Sequence, residues 1–249
     1  MHMGSIMAKT TQGKRREQED RLVVLSCDDG YILAVCDGHN GYETASRAIA
    51  VLVELSMEHP TRGSLAGAAT AQAFLLLVVE RLVKETRNDD SGSTLSLVHI
   101  SERAQRVDIA VLGDSPVVVW QDKQNFWVSP EHNVRTNEGD CRYVREHEGV
   151  IQGGYLSYHQ HDTRELQLTR TLGDRYFSSL LQRKAEYFHF PLGRESIVAV
   201  MSDGVYDGHF VSRKEDLKSL PMRTSSGVIR NALLRGSADN VSVIVWRAR

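Results

Sequence analysis

The sequence predicts an α+β domain in which blocks of helices stand between groups of strands. Short strand-like runs come first, two long Ala- and Leu-rich segments follow, and a second group of strand-like runs comes after them. Grouped elements favour a layered α+β domain, whereas regular alternation of strand and helix would indicate a doubly wound parallel sheet. The 249 residues are near the upper limit for one hydrophobic core, so we expect a single domain over residues 8–249.

The first predicted elements are a β-hairpin and two helices. Leu22–Cys27 and Tyr31–Cys36 are short apolar runs joined by Asp-Asp-Gly, a sequence typical of a turn that uses positive φ at glycine. Gly41–Met57 and Leu65–Arg87 carry polar residues at the intervals of amphipathic helices. His59–Gly63, which contains proline and glycine, divides these two helices.

Strands predominate in the rest of the chain. Three apolar runs are spaced for a β-meander, namely Thr94–Ile100, Val107–Leu112 and Pro116–Trp120. Near the C-terminus, a helix is predicted between two further strands, and these elements are Ser196–Met201, Ser225–Leu234 and Val241–Trp246.

Two segments are predicted to lie outside the core. Residues 131–167 are polar, rich in histidine and without sustained periodicity, so we expect a small flap there, whose histidines receive no functional role. Residues 1–7 (MHMGSIM) lack the apolar stretch of a signal peptide and resemble a cloning-derived leader, so they are excluded from the predicted fold.

The composition narrows the classes of function. A hydrophobic content of 41% with 25% charged residues is ordinary for a folded globular protein. The net charge of −2 disfavours nucleic acid as a partner, because such binding depends on clustered Lys and Arg. The longest apolar run, Ala73–Val79, is too short to cross a membrane. The three cysteines form no CxxC pair, which argues against a disulfide framework. We therefore expect a cytoplasmic monomer.

An acidic residue recurs at the ends of the apolar strands. A single Asp beside Gly is usually turn chemistry, and that interpretation is favoured for any one of them alone. Together they flank runs long enough to be central strands, where a sheet can direct several side chains into one cleft. The residues concerned are Asp20, Asp37, Asp114, Asp203 and Asp239.

Carboxylates that meet in one cleft need compensating charge. Two of them 4 Å apart repel by about 4 kcal/mol at an effective dielectric constant near 20, so cations or protons must be present. Oxygen donors suit Mg²⁺, Mn²⁺ or Ca²⁺, and the absence of a Cys or His cluster among these residues makes Zn²⁺ less suitable. The sequence therefore predicts a Mg²⁺ or Mn²⁺ centre.

The segments around these residues resemble the signature series of the type 2C metal-dependent serine/threonine protein phosphatases, the PPM family. The similarity extends over nearly the whole chain and keeps the family's order, which makes it specific. The matching segments are Arg15–Asp20, Val35–Gly41, Ser91–Thr94, Leu112–Ser115, Leu168–Asp174, Ser202–Asp207 and Asp239–Ser242.

The resemblance implies both a fold and a set of metal ligands. The fold is a sandwich of two antiparallel sheets with helices on both outer faces (αββα). Two ions would be held by Asp20, Asp37, the carbonyl of Gly38, Asp203 and Asp239. Glu19 would lie in their outer shell, and Asp114 would hold a more weakly bound third ion together with Asp203.

The implied activity is removal of phosphate from phosphoserine and phosphothreonine of proteins by attack of a metal-bridging water. Arg15 would bind phosphate oxygens through its planar fork, and His39 would protonate the departing oxygen. Asp174 and Asp207 are expected to hold turns. Pro116 stands where the family pattern has arginine, which leaves the affinity for a third ion open.

Two other classes of function remain open from the sequence. A pseudophosphatase would keep the fold as an interaction module without the chemistry, although the retained aspartates argue against this. A two-metal nuclease or phosphodiesterase could use the same ions on phosphodiesters, although the near-neutral charge disfavours it.

Overall fold

Two five-stranded antiparallel sheets lie face to face at the centre of the protein. The computed structural model describes residues 4–58, 68–122, 125–207, 215, 217–218 and 224–248. Sheet I has the strand order β13-β7-β6-β3-β2, and sheet II has the order β1-β15-β14-β8-β9. Sheet I contains β2 (Arg21–Cys27), β3 (Gly30–Cys36), β6 (Leu95–Ser101), β7 (Arg106–Leu112) and β13 (Glu186–Pro191). Sheet II contains β1 (Ser5–Thr11), β8 (Val117–Trp120), β9 (Phe126–Val128), β14 (Ile197–Met201) and β15 (Val241–Arg247).

The main core lies between the two sheets. Successive residues of a strand point to opposite faces, so Leu33 and Val35 of β3 face sheet II, where they join Val200 and Ile244 in one buried cluster. Their neighbours Ile32, Ala34 and Cys36 face the other way and are also buried. A strand buried on both faces needs a continuous apolar run, and Ile32–Cys36 is such a run.

Helices cover both outer faces of the sandwich. The long helices α1 (Glu43–Glu58) and α2 (Ala68–Thr86) bury Leu52 and Leu75 against sheet I. The helix α4 (Ser225–Leu234) buries Val228 against sheet II, and Thr224 caps its first turn by accepting a hydrogen bond from the amide of Gly227. The predicted αββα architecture is thus confirmed. The predicted divider at residues 59–63 lies outside the described residues.

The segment predicted as a flap contains regular structure. It includes helix α3 (Glu138–Glu146) and a hairpin of β10 (Val150–Gln152) and β11 (Tyr155–Ser157). A separate apolar cluster, to which Val144 and Leu156 belong, lies beneath these elements. Residues 131–168 are called the insertion below.

The predicted meander is wrong at its third strand. The strands β6 and β7 pair in sheet I, but β8 pairs with β14 in sheet II. The chain changes sheets at Gly113, whose φ of 111° lies in the region that favours glycine. Apolar runs alone carry no information about this change of sheet.

Excluding residues 1–7 from the fold is also wrong for the last three of them. Ser5, Ile6 and Met7 begin β1, where they pair with Arg247, Trp246 and Val245 of β15. Ile6 also packs against the core between the sheets. Among the described residues, no helix has the length and apolar character needed to span a bilayer.

Replacing Ile6 with alanine tests whether β1 belongs to the fold. Because Ile6 is partly buried against the core between the sheets, we expect Ile6→Ala to lower the free energy of unfolding by about 1–2 kcal/mol, less than a fully buried isoleucine costs. Urea denaturation followed by circular dichroism gives the value. Lys9→Ala, on an exposed position of the same strand, is the control and should change stability little. Equal effects of the two substitutions would contradict the placement of β1.

Candidate active site

The strand ends that carry the predicted aspartates meet at one end of the sandwich. In sheet I the start of β2 pairs with the end of β3, and in sheet II the end of β14 lies beside the starts of β8 and β15. The antiparallel registers therefore bring residues from distant parts of the chain to the same edge. These residues are Asp20 before β2, Asp37 after β3, Asp114 between β7 and β8, Asp203 after β14, and Asp239 before β15.

Most of the predicted site residues line one open cleft of about 560 Å³ at this edge. The charged groups that line it are Arg15, Glu19, Asp37, His39, Asp114, Glu165, Asp203 and Asp239. Gly38 lines the cleft as well. Asp20 is buried behind the cleft, with 3% of its surface exposed. The convergence that the sequence analysis predicted from strand ends is thus observed.

Asp20 carries a carboxylate oxygen without a partner. Its Oδ2 accepts a hydrogen bond of 2.8 Å from the hydroxyl of Ser202, but its buried Oδ1 has no hydrogen-bond partner among the described residues. A buried acceptor without a hydrogen bond lowers the stability of the fold, so a ligand bound at this atom would be stabilising. A cation in the cleft would satisfy this oxygen.

Three of the aspartates at the cleft resist ionisation. Burial raises the pKa of Asp20 to about 6, against a hydrogen bond from Ser202 that lowers it. Burial, followed by the charges of Asp20 and Asp203, raises the pKa of Asp37 well above its ordinary range. Burial and the charges of Asp114 and Asp239 do the same for Asp203. Burial is the main cause of these shifts and neighbouring negative charge adds to it, and divalent cations would favour the ionised carboxylates against both.

The donor set fits hard divalent cations. It consists of carboxylate oxygens and backbone carbonyls, which are the ligands that Mg²⁺ and Mn²⁺ prefer. Gly38 allows the backbone to come close at this point, because a Cβ there would lie 2.6 Å from the carbonyl oxygen of Glu19. A larger residue would thus displace the chain beside Asp37.

A small sheet holds His39 at the rim of the cleft. Its three short strands are β4 (Gly38–His39), β5 (Gly92–Ser93) and β12 (Leu172–Gly173), and they join three of the motif segments. Asp174 directly follows β12, and its carboxylate lies 2.8 Å from Nε2 of His39. Burial disfavours the charged imidazole, but the charge and hydrogen bond of Asp174 outweigh this, and the pKa of His39 is raised.

Residues near the two ends of the chain meet beside the cleft. The Arg15 guanidinium lies 2.6 Å from Oδ2 of Asp239 and keeps about half of its side chain exposed. Asn240 accepts a hydrogen bond from the amide of Glu19 and donates to the carbonyls of Gln12 and Glu17. The segment that carries Arg15 and Glu19 is therefore fixed to the start of β15.

The side chain of Glu19 contacts the loop that follows His39. Its Oε1 accepts a hydrogen bond of 2.6 Å from the amide of Gly41, which fixes the loop after His39. Asp207 also contacts the backbone of a loop at the cleft. Its Oδ2 accepts a hydrogen bond of 3.0 Å from the amide of Ala238, which supports the loop before Asp239.

Two residues at the start of the insertion, His132 and Asn133, contact the turn that carries Asp114. His132 is buried, its Nδ1 accepts a hydrogen bond of 3.0 Å from the amide of Gly113, and its own amide donates to the Gly113 carbonyl. Asn133 donates from Nδ2 to Oδ2 of Asp114 at 3.0 Å. The sequence analysis gave the histidines of this segment no functional role, and the structure shows that the ring of His132 is buried and accepts a hydrogen bond inside the fold.

The sequence analysis missed several residues of the site. Tyr155 and Glu165 of the insertion line the cleft, and Thr94 lines it from the start of β6. Thr94 accepts a hydrogen bond of 3.0 Å from the amide of Asp37, so it fixes the backbone of that residue. Tyr155 and Glu165 lie between the motif segments, and nothing in the sequence indicates that they line the cleft. Thr94 alone could have been found, because it ends the Ser91–Thr94 segment.

Acidic strand ends from both sheets meet in one open cleft, and they define a two-sheet sandwich with a candidate centre for divalent cations. The chain belongs to the protein phosphatase 2C family, whose model matches residues 5–241. The resemblance found in the sequence motifs is thereby confirmed.

Individual relatives agree with this assignment. Protein phosphatase fem-2 of Caenorhabditis elegans is 28% identical over 261 positions, which cover 94% of this chain and 56% of that protein. A solved structure of a C. elegans sex determining protein has a TM-score of 0.76 at 26% identity, covering 100% of this chain and 66% of the other. Serine-threonine phosphatase 2C from Toxoplasma gondii shares the fold, with a TM-score of 0.75 at 15% identity and coverage of 99% and 95%. The chain spans little more than half the length of the curated relatives it matches.

The contact between Asp174 and His39 gives a test that needs no enzymatic assay. Because the carboxylate holds the pKa of His39 above its ordinary value, Asp174→Asn should lower that pKa, and the imidazole should lose its proton at lower pH. Titration of the His39 ring signals by NMR in metal-free protein measures the change. Asp207→Asn, which also removes a carboxylate near the cleft, is the control and should leave the titration in place. An unchanged His39 titration in Asp174→Asn would contradict the pairing.

Proposed function

We propose that this protein is a metal-dependent phosphomonoester hydrolase that removes phosphate from phosphoserine and phosphothreonine of proteins. One observation carries the proposal, namely that aspartates from distant parts of the chain meet in one cleft. Membership of the protein phosphatase 2C family supports the choice of substrate. A phosphorylated protein is accordingly the proposed partner.

The proposed cofactors are Mg²⁺ or Mn²⁺, two ions per chain. The supporting observations are the all-oxygen donor set, the unpaired Oδ1 of Asp20 and the raised pKa values of Asp37 and Asp203. The proposed ligands are Asp20, Asp37, the Gly38 carbonyl, Asp203 and Asp239. Asp114 would serve a weaker third ion, and the neutral amide of Asn133 already contacts its carboxylate.

When bound, the two ions would supply a water of lowered pKa and offset the charge of the phosphoryl group. The chain's own residues then have positional roles. Asp37 follows a strand of sheet I and Asp203 follows a strand of sheet II, and the amide of Asp203 donates a hydrogen bond of 3.4 Å to Oδ2 of Asp37, which joins the two sheets at the centre. The water-excluding core behind them keeps this arrangement rigid.

Arg15 is the proposed phosphate-binding residue. Its guanidinium is at the cleft, about half exposed, and one nitrogen contacts Asp239. The remaining donors of a guanidinium can bind two phosphate oxygens at once, which an ammonium group does less well. Arg15 would hold the substrate phosphate facing the carboxylates.

His39 is the proposed general acid. It lies at the rim of the same cleft, and Asp174 keeps its imidazole protonated to higher pH than usual. A protonated imidazole there can deliver its proton to the seryl or threonyl oxygen as that oxygen leaves. Asp174 would act as a positioning residue, because its carboxylate contacts the imidazole of His39.

Removal of either of two aspartates should abolish turnover. Each of Asp203→Ala and Asp239→Ala removes a proposed ligand, and the loss of several kcal/mol of transition-state stabilisation corresponds to roughly a thousandfold decrease in kcat. The measurement is Mn²⁺-dependent release of phosphate from a phosphothreonine peptide.

The fold should persist in these variants. Asp203→Ala removes a carboxylate that burial and neighbouring charges disfavour, so the metal-free variant should be at least as stable as the parent at pH 7.5. Thermal melting checks this. Asp28→Ala, an exposed aspartate in the β2–β3 turn, is the matched control and should keep full activity. Near-normal rates in both ligand variants would remove the assignment.

Mn²⁺ should stabilise the protein, and more so as the pH rises. The pKa of Asp20 is raised from 3.8 to about 6, so protons stabilise the metal-free fold at low pH and this contribution is lost as the pH rises toward and through 6. Mn²⁺ binds the ionised form, so its effect should grow over the same interval. At a hundred times its Kd, Mn²⁺ would add about 2.7 kcal/mol.

Thermal melting with EDTA and with Mn²⁺ at pH 5 and pH 7.5 measures this effect. The shift in Tm between the two conditions should be larger at pH 7.5. The Asp37→Ala variant is the control and should lose most of the shift. A melting curve that Mn²⁺ leaves unchanged at both pH values would argue against a metal centre.

A catalytically inactive interaction module is the second candidate, and the same assay distinguishes it. No Mn²⁺-dependent hydrolysis of a phosphopeptide by pure, folded protein would favour that role. Hydrolysis of a phosphodiester without hydrolysis of the phosphopeptide would instead favour a phosphodiesterase. The retained aspartates and the fitting donor set support the phosphatase.

A further inference from the structure

A second group of metal-ligating side chains lies at the opposite end of sheet I. Cys27 ends β2, Asp29 lies in the turn before β3, and His99 is near the end of β6. The registers of β2, β3 and β6 bring these three positions together. Because β3 has seven residues, its length separates this group from the cleft by roughly 20 Å.

The three donor atoms are close enough to share one ion. The Sγ of Cys27 is 3.4 Å from Oδ1 of Asp29, and Nε2 of His99 is 3.2 Å from the same oxygen. A potential ligand atom from each of the three residues lies within 4.8 Å of the other two. Tetrahedral zinc, with bonds of about 2.0–2.3 Å, sets its donors roughly 3.2–3.7 Å apart. Small side-chain adjustments would therefore complete the geometry.

Two polar atoms of this group are buried without a hydrogen bond. Among the described residues, neither Oδ2 of Asp29 nor Nδ1 of His99 has a hydrogen-bond partner. The side chain of Asp29 is 5% exposed and that of His99 is not exposed at all. Nδ1 of His99 faces Oδ2 of Asp108 at 3.9 Å, whereas an ion beside Nε2 of His99 would satisfy the carboxylate of Asp29.

The charges around the group leave one carboxylate without a permanent cation. Asp108, on the other side of His99, pairs with the Arg106 guanidinium at 2.6 Å and accepts a hydrogen bond from the Tyr187 hydroxyl. Asp29 has no such arginine or lysine partner among the described residues. Its compensating charge must come from the imidazole or from a cation held beside it.

We propose that Cys27, Asp29 and His99 bind one zinc ion, with water as the fourth ligand. A thiolate, an imidazole and a carboxylate are the donors that zinc takes in proteins, whereas Mg²⁺ and Mn²⁺ prefer the oxygen donors of the cleft. Binding exchanges one thiol proton and one imidazolium proton for the dication, so the net charge of the group is unchanged. Cys27 is half-buried, which gives the ion access from solvent.

This zinc ion would link the β2–β3 turn to β6 and would be independent of the phosphatase chemistry. Cys27 and Asp29 lie at the β2–β3 turn, and His99 lies on the neighbouring strand β6. The ion would therefore fix one end of sheet I. None of the proposed cleft ligands takes part.

Cobalt substitution tests the proposal. Reduced, metal-free protein is titrated with Co²⁺, and absorption in the near ultraviolet reports charge transfer from thiolate to cobalt. The oxygen donors of the cleft cannot give this band. With excess Mg²⁺ present to occupy the cleft, we expect a band that saturates at one Co²⁺ per chain and disappears when Zn²⁺ is added. Absence of the band in folded protein would overturn the proposal.

Variants locate the ion. Cys27→Ser should abolish the band, whereas Cys141→Ser, which removes a buried cysteine of the insertion, and Asp203→Ala, which alters the cleft, should keep it. A band that survives in Cys27→Ser would overturn the proposal.

A fourth variant keeps the test decisive if Cys27→Ser fails to fold. Asp29→Asn retains the shape of the side chain and should weaken Zn²⁺ binding by at least tenfold in competition with a chromophoric chelator. Circular dichroism verifies that the variant is folded. Zinc affinity equal to that of the parent in folded Asp29→Asn would overturn the assignment of Asp29 and with it the proposed site.

Discussion

The structure depends on holding buried carboxylates together against their own repulsion. Burial and neighbouring negative charge raise the pKa values of Asp20, Asp37 and Asp203. The same groups must be ionised to bind cations, so the free energy that keeps them close has to come from elsewhere. It comes from the two sheets, whose strands end at this edge and whose shared core is formed by apolar side chains. The carboxylates therefore lower the stability of the fold, and the burial of apolar side chains between the two sheets offsets this loss.

Much of the fold and of the cleft could be predicted because local patterns determine them. The strand β3 is a continuous apolar run, and the aspartates stand at strand ends, so antiparallel pairing alone brings several of them to one edge. Other features depend on contacts between distant residues. His39 meets Asp174 across 135 positions of the chain, and His132 joins the Gly113 turn from the base of the insertion. No periodicity or turn signal records such contacts. The change of sheet at β8 was missed for the same reason.

The two ends of sheet I offer different donor chemistry. At one end the donors are carboxylates and carbonyls, which hard cations prefer, and at the other a thiol, an imidazole and a carboxylate converge. The intervening strands are buried and apolar, so neither group of ligands can rearrange to serve the other ion. If both proposed sites bind their ions, the strands of the sandwich would keep the two kinds of metal apart.

The contacts of Asn240 have a consequence for the biosynthesis of the protein. Its side chain holds the segment of Gln12 to Glu19 in place, and β15 supplies the neighbour of β1. A chain emerging from the ribosome folds from its N-terminal side first. The segment of Gln12 to Glu19 therefore lacks its contacts with Asn240 until translation has passed residue 240. A product that stops before Asn240 lacks the side chain that holds this segment, so residues from both parts of the chain must be present before the cleft can form.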